Sequence, residues 1–239
     1  MMKDLLWRGM LAGLLAALIG ATFARFVAEP MVDAAIAVEA GHEAPGAPDE
    51  EVVTRATQKG LGLYTAMALY GTAMGGLFSI LFAALTGRAG RIGPRGLALG
   101  LGIAAFLVIV LVPALKYPPN PPAVGLHDTI RVRTAAFFGM LALSVASAWG
   151  GTVVFRHLAG RLASIDRLLC GVGTFLGLIA IAQAFLPAID EVPADFPASL
   201  LWRFRLASLG TQALFWLATA DLFGRLVERL AANARGRVR

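Results

Sequence analysis

Leu115-Lys116-Tyr117-Pro118-Pro119-Asn120-Pro121-Pro122-Ala123-Val124-Gly125 is the stretch that decides how this chain is read. Its prolines each remove a backbone donor, fix φ and push the preceding residue into extended space, so the stretch as a whole is expected not to be helical. It reads as a stiff, polyproline-like connection. On both sides lie apolar segments long enough to cross a bilayer, which places the connection at one membrane face. Tyr117 suits the headgroup level there.

The composition agrees. Of 239 residues, 58% are hydrophobic and only 15% are charged, with a mean hydropathy of +0.72. A soluble chain carries roughly a quarter charged residues, so the class is polytopic membrane protein, with the lipid bilayer as first partner. The net charge of +6 does not point to nucleic acid, because the cations lie between apolar segments and form no patch interleaved with aromatics. The lone Cys170 falls inside an apolar run and reads as a small buried hydrophobe. No disulfide framework is possible.

A crossing needs about 20 apolar residues. The runs that meet this are 7–27, 61–85, 96–115, 134–155, 168–186 and 206–223, giving an all-α fold of six transmembrane helices in a single domain, 1–239. The first run is long for a secretory signal and lacks a clear small-x-small site, so it reads as a retained helix. The connections are an acidic outer loop 29–59, a proline-rich outer loop 116–130 and an outer loop 187–199, with a basic tail at 228–239. Met31 to Ala40 alternates apolar and acidic residues at helical spacing, as a short interfacial helix would. With a cytoplasmic N-terminus, the inner segments hold 13 of the 21 Lys and Arg but only 4 of the 15 Asp and Glu. Both termini are therefore expected in the cytoplasm.

Two outer connections repeat one design. Val112-Pro113-Ala114-Leu115 leads through the proline-rich loop to Arg131-Val132-Arg133-Thr134-Ala135, and Leu186-Pro187-Ala188-Ile189 leads through a second Pro-bearing loop to Arg203-Phe204-Arg205-Leu206-Ala207. Arg55-Ala56-Thr57 after Pro30 reads as a degenerate third copy. Hairpins repeated in one direction imply an axis along the membrane normal, and transporter sites tend to lie at such repeat interfaces. Arginines on the side that topology keeps poor in cations call for partners. Asp128 is the expected partner in one hairpin, and Asp190, Glu191 and Asp195 in the other. Residues two apart point to nearly opposite helix faces, so one Arg of each pair turns inward and the other snorkels out. These pairs either fix loop geometry or line an outer vestibule.

Glycines four apart, Gly9/Gly13, Gly71/Gly75, Gly96/Gly100 and Gly173/Gly177, read as faces where helices approach closely. Met67 and Met74 share the Gly71/Gly75 side and read as packing more readily than as a soft-metal path. Asp221 and Arg225 fit an i,i+4 pair, with an exit-side acid as the sharper alternative. Gln183 and Gln212 suit bonds across helices. His127 beside Asp128 reads as a residue capping the following helix, and His157 lies among arginines, where a metal cation is repelled. No Walker glycine loop, His-Glu-x-x-His motif or serine elbow occurs, so no enzyme activity is expected.

Several stretches resemble the CbtA-type family of predicted cobalt transporter subunits: 26–39, 116–125 with Asp128-Thr129-Ile130 and Arg133-Thr134, and above all 186–212, with Leu186-Pro187-Ala188-Ile189-Asp190-Glu191-Val192-Pro193 and Trp202-Arg203-Phe204-Arg205. The resemblance runs end to end and implies an inner-membrane protein of bacteria or archaea working with a small single-span partner subunit; assembly with copies of itself is a further expectation. Such proteins often carry a His-rich tract in the first outer loop. Here the tract reads Gly41-His42-Glu43-Ala44-Pro45-Gly46-Ala47-Pro48-Asp49-Glu50-Glu51, and carboxylates favour harder ions with little selectivity for cobalt.

The resulting expectation is a subunit that moves a divalent metal cation, Co²⁺ in view of the resemblance, with no permanently bound cofactor. Glu29, Asp33, His42, Glu43, Asp190, Glu191 and Asp195 are the candidate metal ligands. Lys116, Asn120, Asp128, Arg131, Arg133, Arg203, Arg205 and Gln212 are candidates for the vestibule and pathway. Two other readings stand beside it: carriage of an anionic or chelated solute held by the repeated arginines, and a non-transporting scaffold for a partner subunit.

Overall fold

The computed structural model describes residues 2–41, 53–88, 90, 92–122, 124–125 and 127–236, the side chains of His127 and of 231–236 excepted. Among these residues the regular elements are all helical. Five helices are long and apolar enough to cross a membrane: α1 (Met2–Ala40), α2 (Arg55–Leu85), α3 (Pro94–Lys116), α4 (Ile130–His157) and α5 (Ser164–Phe185). A sixth, α6 (Ala198–Gly236), runs for 39 residues. At 1.5 Å per residue it is about 58 Å long, well beyond a hydrocarbon core of about 30 Å. Large apolar side chains such as Leu69, Phe138, Trp149 and Phe185 are exposed, as a lipid solvent permits.

The first three helices each widen into a π-helical turn, at Ala24–Ala28, Gln58–Gly62 and Phe106–Leu111. Two of these precede a proline, Pro30 and Pro113. A proline inside a helix clashes with the carbonyl four residues back and donates nothing, and a wider turn relieves the clash. The third contains Gly60, whose φ of −104° and ψ of −110° leave helical space. At the five-residue spacing of the Phe106–Leu111 turn, the donor missing from Pro113 belongs to Val108. Ser144 of α4 supplies it, its Oγ donating to the Val108 carbonyl at 2.6 Å. A neighbouring hydroxyl thus satisfies a backbone group that lipid cannot.

Two sequence expectations are corrected. Leu115 and Lys116 are helical, and irregular chain begins only at Tyr117 (φ −124°, ψ 79°). The restriction imposed by Pro118 falls on the residue just before it and no further back. The segment Glu29–Ala40 also begins earlier than the alternation suggests and continues α1 through its π turn.

The chain forms two compact units: Met1–Phe106, Pro121–Ala123 and Pro197–Arg239 in one, Leu107–Asn120 and Val124–Phe196 in the other. In the first, α1 packs on α2 through facing glycines. A Cβ on Gly9 or Gly13 would strike the carbonyls of Gly75 and Gly71, and the reverse holds for Gly75 and Gly71. Lipid tails are as apolar as leucine, so this closeness, and not exclusion of water, is what holds the pair. Thr22 and Tyr64 add a hydroxyl–hydroxyl bond of 3.1 Å. On the inner face of α6, Phe223 meets Phe78 edge-on at 5.6 Å and Phe82 at 5.0 Å. Gly102 lets the start of α3 approach Ala220 and the Trp216 carbonyl. Met67 packs towards Gly20.

The second unit is built on Val112, Tyr117, Ala136, Met140, Ile179 and Ala182, with Phe137, Phe175, Leu186 and Ile189 around them. Gly151 and Gly171 bring α4 and α5 together elsewhere along their length. The glycine pairs do not all behave as expected. A Cβ at Gly100, Gly173 or Gly177 would meet nothing within 4 Å. The packing face of α5 is set by Gly171, Ile179 and Ala182, which turns Gly173 and Gly177 away from α4.

Candidate functional site

In the second unit the two matching turns meet. Lys116 donates from Nζ to the Gln183 carbonyl at 2.7 Å, placing a cation on the last turn of α5. The Tyr117 hydroxyl donates to the Pro187 carbonyl at 2.9 Å. Burial pushes this phenol up from its ordinary value, so it stays a donor. Tyr117 is 8% exposed, so it is a core residue and not the headgroup anchor expected from sequence. Lys116 likewise caps a helix end.

Beyond these staples lies a cleft of about 330 Å³ walled by Val132, Ala188 and Ile189. Its charged lining is Asp128, Asp190, Glu191 and Arg133. Arg133 Nη1 donates to Glu191 Oε2 at 2.6 Å. The Glu191 side chain is 6% exposed and that of Arg133 35%. Asp190 turns one oxygen to the Val192 amide at 3.4 Å and remains exposed. Gly125, at φ +124°, is where the loop passes against this pair: a Cβ there would run into the Arg133 guanidinium and approach Glu191. Positive φ and the missing Cβ both require glycine.

Arg133 therefore takes its acid from the other hairpin, where the sequence suggested Asp128. Asp128 lies in the short 3₁₀ turn His127–Thr129 and is exposed, while Glu191 tucks back against the first turn of α4. Within each arginine pair, Arg133 and Arg205 are half-buried and Arg131 and Arg203 exposed. Asn120 is half-buried in the proline-rich loop and Asp195 is exposed.

The first unit disposes of its acids differently. Arg55 pairs with both Glu29 and Asp33, the latter at 2.9 Å, and Lys59 reaches Asp33 at 3.0 Å. Within this cluster of described residues two carboxylates face two cations, so their charges balance. The sequence marked Arg55 only as a faint third copy, yet it repeats the same device of an arginine at helix entry holding acids from another segment. His42 and Glu43 lie outside the described residues. Among the described residues no three His, Cys, Asp or Glu side chains converge as a metal cage.

Asp221 is also committed. Arg95 donates to its Oδ1 through Nε (3.0 Å) and Nη2 (2.6 Å), and Arg225 to its Oδ2 at 2.7 Å. The i,i+4 pair forms as expected, and Arg95 makes it a clamp between α3 and α6. Gln212, a pathway candidate, lies beside the Tyr70 hydroxyl of α2.

A family model described as "Probable cobalt transporter subunit (CbtA)" matches residues 2–228. Neither a curated protein nor a solved structure matches the chain.

Proposed function

The chain belongs to the CbtA family of probable cobalt transporter subunits, and on that premise we propose that it admits a divalent cation, Co²⁺ by family, through the outer cleft between the starts of α4 and of the α5–α6 loop. The observation that carries this is the charge of that cleft. Asp128, Asp190 and Glu191 against Arg133 alone give a formal charge of −2, which a divalent ion neutralises. Glu29 and Asp33, already balanced by Arg55 and Lys59, drop out of the route. Oxygen donors rank divalent ions weakly. Selectivity for cobalt therefore rests elsewhere in the assembly, and a small single-span partner is the candidate for it. On this proposal the protein lies in the inner membrane with both termini in the cytoplasm, a reading that the distribution of Lys and Arg along the sequence supports.

Commitment of Arg133 to Glu191 argues against arginines as ligands of an anionic cargo. Uptake of labelled cobalt into proteoliposomes, with and without the partner, tests the reading. The pair Asp190→Asn with Glu191→Gln is expected to lower uptake about ten-fold or more, equivalent to about 1.4 kcal/mol. Loss on Arg133→Gln with full uptake in the acid variants indicates an anionic cargo instead. Full uptake in both sets, with the assembly intact, leaves the chain as a scaffold.

A further inference from the structure

We propose that the face of α6 bearing Gln212, Trp216 and Thr219, where it packs on α2, binds a short chain of water and forms a hydrated path inside the first unit. The three residues fall within about 60° of arc on the helix and climb it by about 10 Å. Trp216 is 3% exposed and Thr219 0%. Gln212 Oε1, Trp216 Nε1 and Thr219 Oγ1 are all buried without a hydrogen-bond partner. In hydrocarbon such groups are costly, and three of them in register on one face point to an occupant.

Thr219 is the telling residue. Thr22, Thr72, Ser147, Thr174 and Thr211 each turn their hydroxyl back to the carbonyl four residues earlier, at 2.7–2.9 Å. Thr219 has the same option in the Phe215 carbonyl and does not take it. Its hydroxyl remains available to the interior.

The chemistry of the three atoms selects the ligand. Gln212 Oε1 needs a donor, Trp216 Nε1 needs an acceptor, and the Thr219 hydroxyl serves either way. Water is small and does both. No carboxylate, imidazole or thiol contributes to this face, and an indole N–H repels a bare cation, so a dehydrated metal ion does not fit. Tyr70, whose hydroxyl lies beside Gln212, extends the polar line onto α2. Phe78, against both Trp216 and Phe223, walls it from the apolar side. The proposal stands independently of the outer cleft.

Three measurements decide it. In a Cys170→Ala background, Thr219→Cys is expected to react with a small hydrophilic thiol reagent several-fold faster than Ala220→Cys, which is equally buried at the same depth. In the unaltered protein, radiolytic oxidation is expected at Trp216 at least as fast as at Trp149, which is 71% exposed but faces lipid in this reading. Thr219→Val is expected to lower the melting temperature, since it strips a ligand from bound water. A dry seam predicts the reverse throughout: Thr219→Cys no faster than Ala220→Cys, Trp216 slower than Trp149, and a higher melting temperature for Thr219→Val. Should the cysteine variants fail to fold, oxidation of the unaltered protein decides between the two.

Discussion

Gly125 shows how much one missing methyl controls. The residue adopts a φ of +124° and lies against the Arg133–Glu191 pair. Gly125→Ala is expected to destabilise the protein by more than about 1 kcal/mol, through backbone strain and displacement of the ion pair. A drop of several degrees in melting temperature in detergent checks this. Removing either partner of the pair should cost more than removing both. A double-mutant cycle of Arg133→Gln and Glu191→Gln is expected to return a coupling of about 1 kcal/mol. The need for an acid beside Arg133 was legible, because a cation where a chain enters an apolar helix calls for one. Its identity was not. Glu191 lies 58 positions away, and nothing local distinguishes it from the nearer Asp128.

At the scale of the helix, glycine spacing announces a thin face without saying what covers it. Gly9/Gly13 and Gly71/Gly75 cover one another, whereas Gly173 and Gly177, at the same spacing, have no neighbour within reach of a Cβ. Gly71→Ala is therefore expected to destabilise by about 1–3 kcal/mol, and Gly177→Ala to leave the melting temperature unchanged. The prolines were read as breaks, and they are so only where several lie together. Alone, Pro30 and Pro113 reshape a turn and the helix continues. Ser144→Ala withdraws the donor to Val108 and is expected to cost about 0.6 kcal/mol, the mean for a hydrogen bond between membrane helices. Ser144→Thr, which retains a hydroxyl, should recover part of it. Hydropathy gives no hint of that bond, since serine reads as one small residue among many.

For the molecule as a whole, the crossings were read directly from the sequence, because little besides a membrane span requires about 20 apolar residues in a row. Five of the six recur as helices of sufficient length and apolarity, and the sixth as the long α6. Orientation rests on the distribution of Lys and Arg. Reporter fusions at the N-terminus and at Asn120 are expected to read cytoplasmic and external respectively, and the opposite result would reverse the side on which cargo enters. The gathering of acids was less legible. A pool of seven candidate ligands was expected, and within it Glu29 and Asp33 are ion-paired with Arg55 and Lys59, as Glu191 is with Arg133. One consequence concerns mechanical work. Because α1 and α2 rest backbone on backbone, sliding or rotation between them is expected to be small, as in a stator. On the proposed reading the stroke that moves cargo falls to other helices, and spin labels on α1 and α2 are expected to report one fixed separation through the whole cycle.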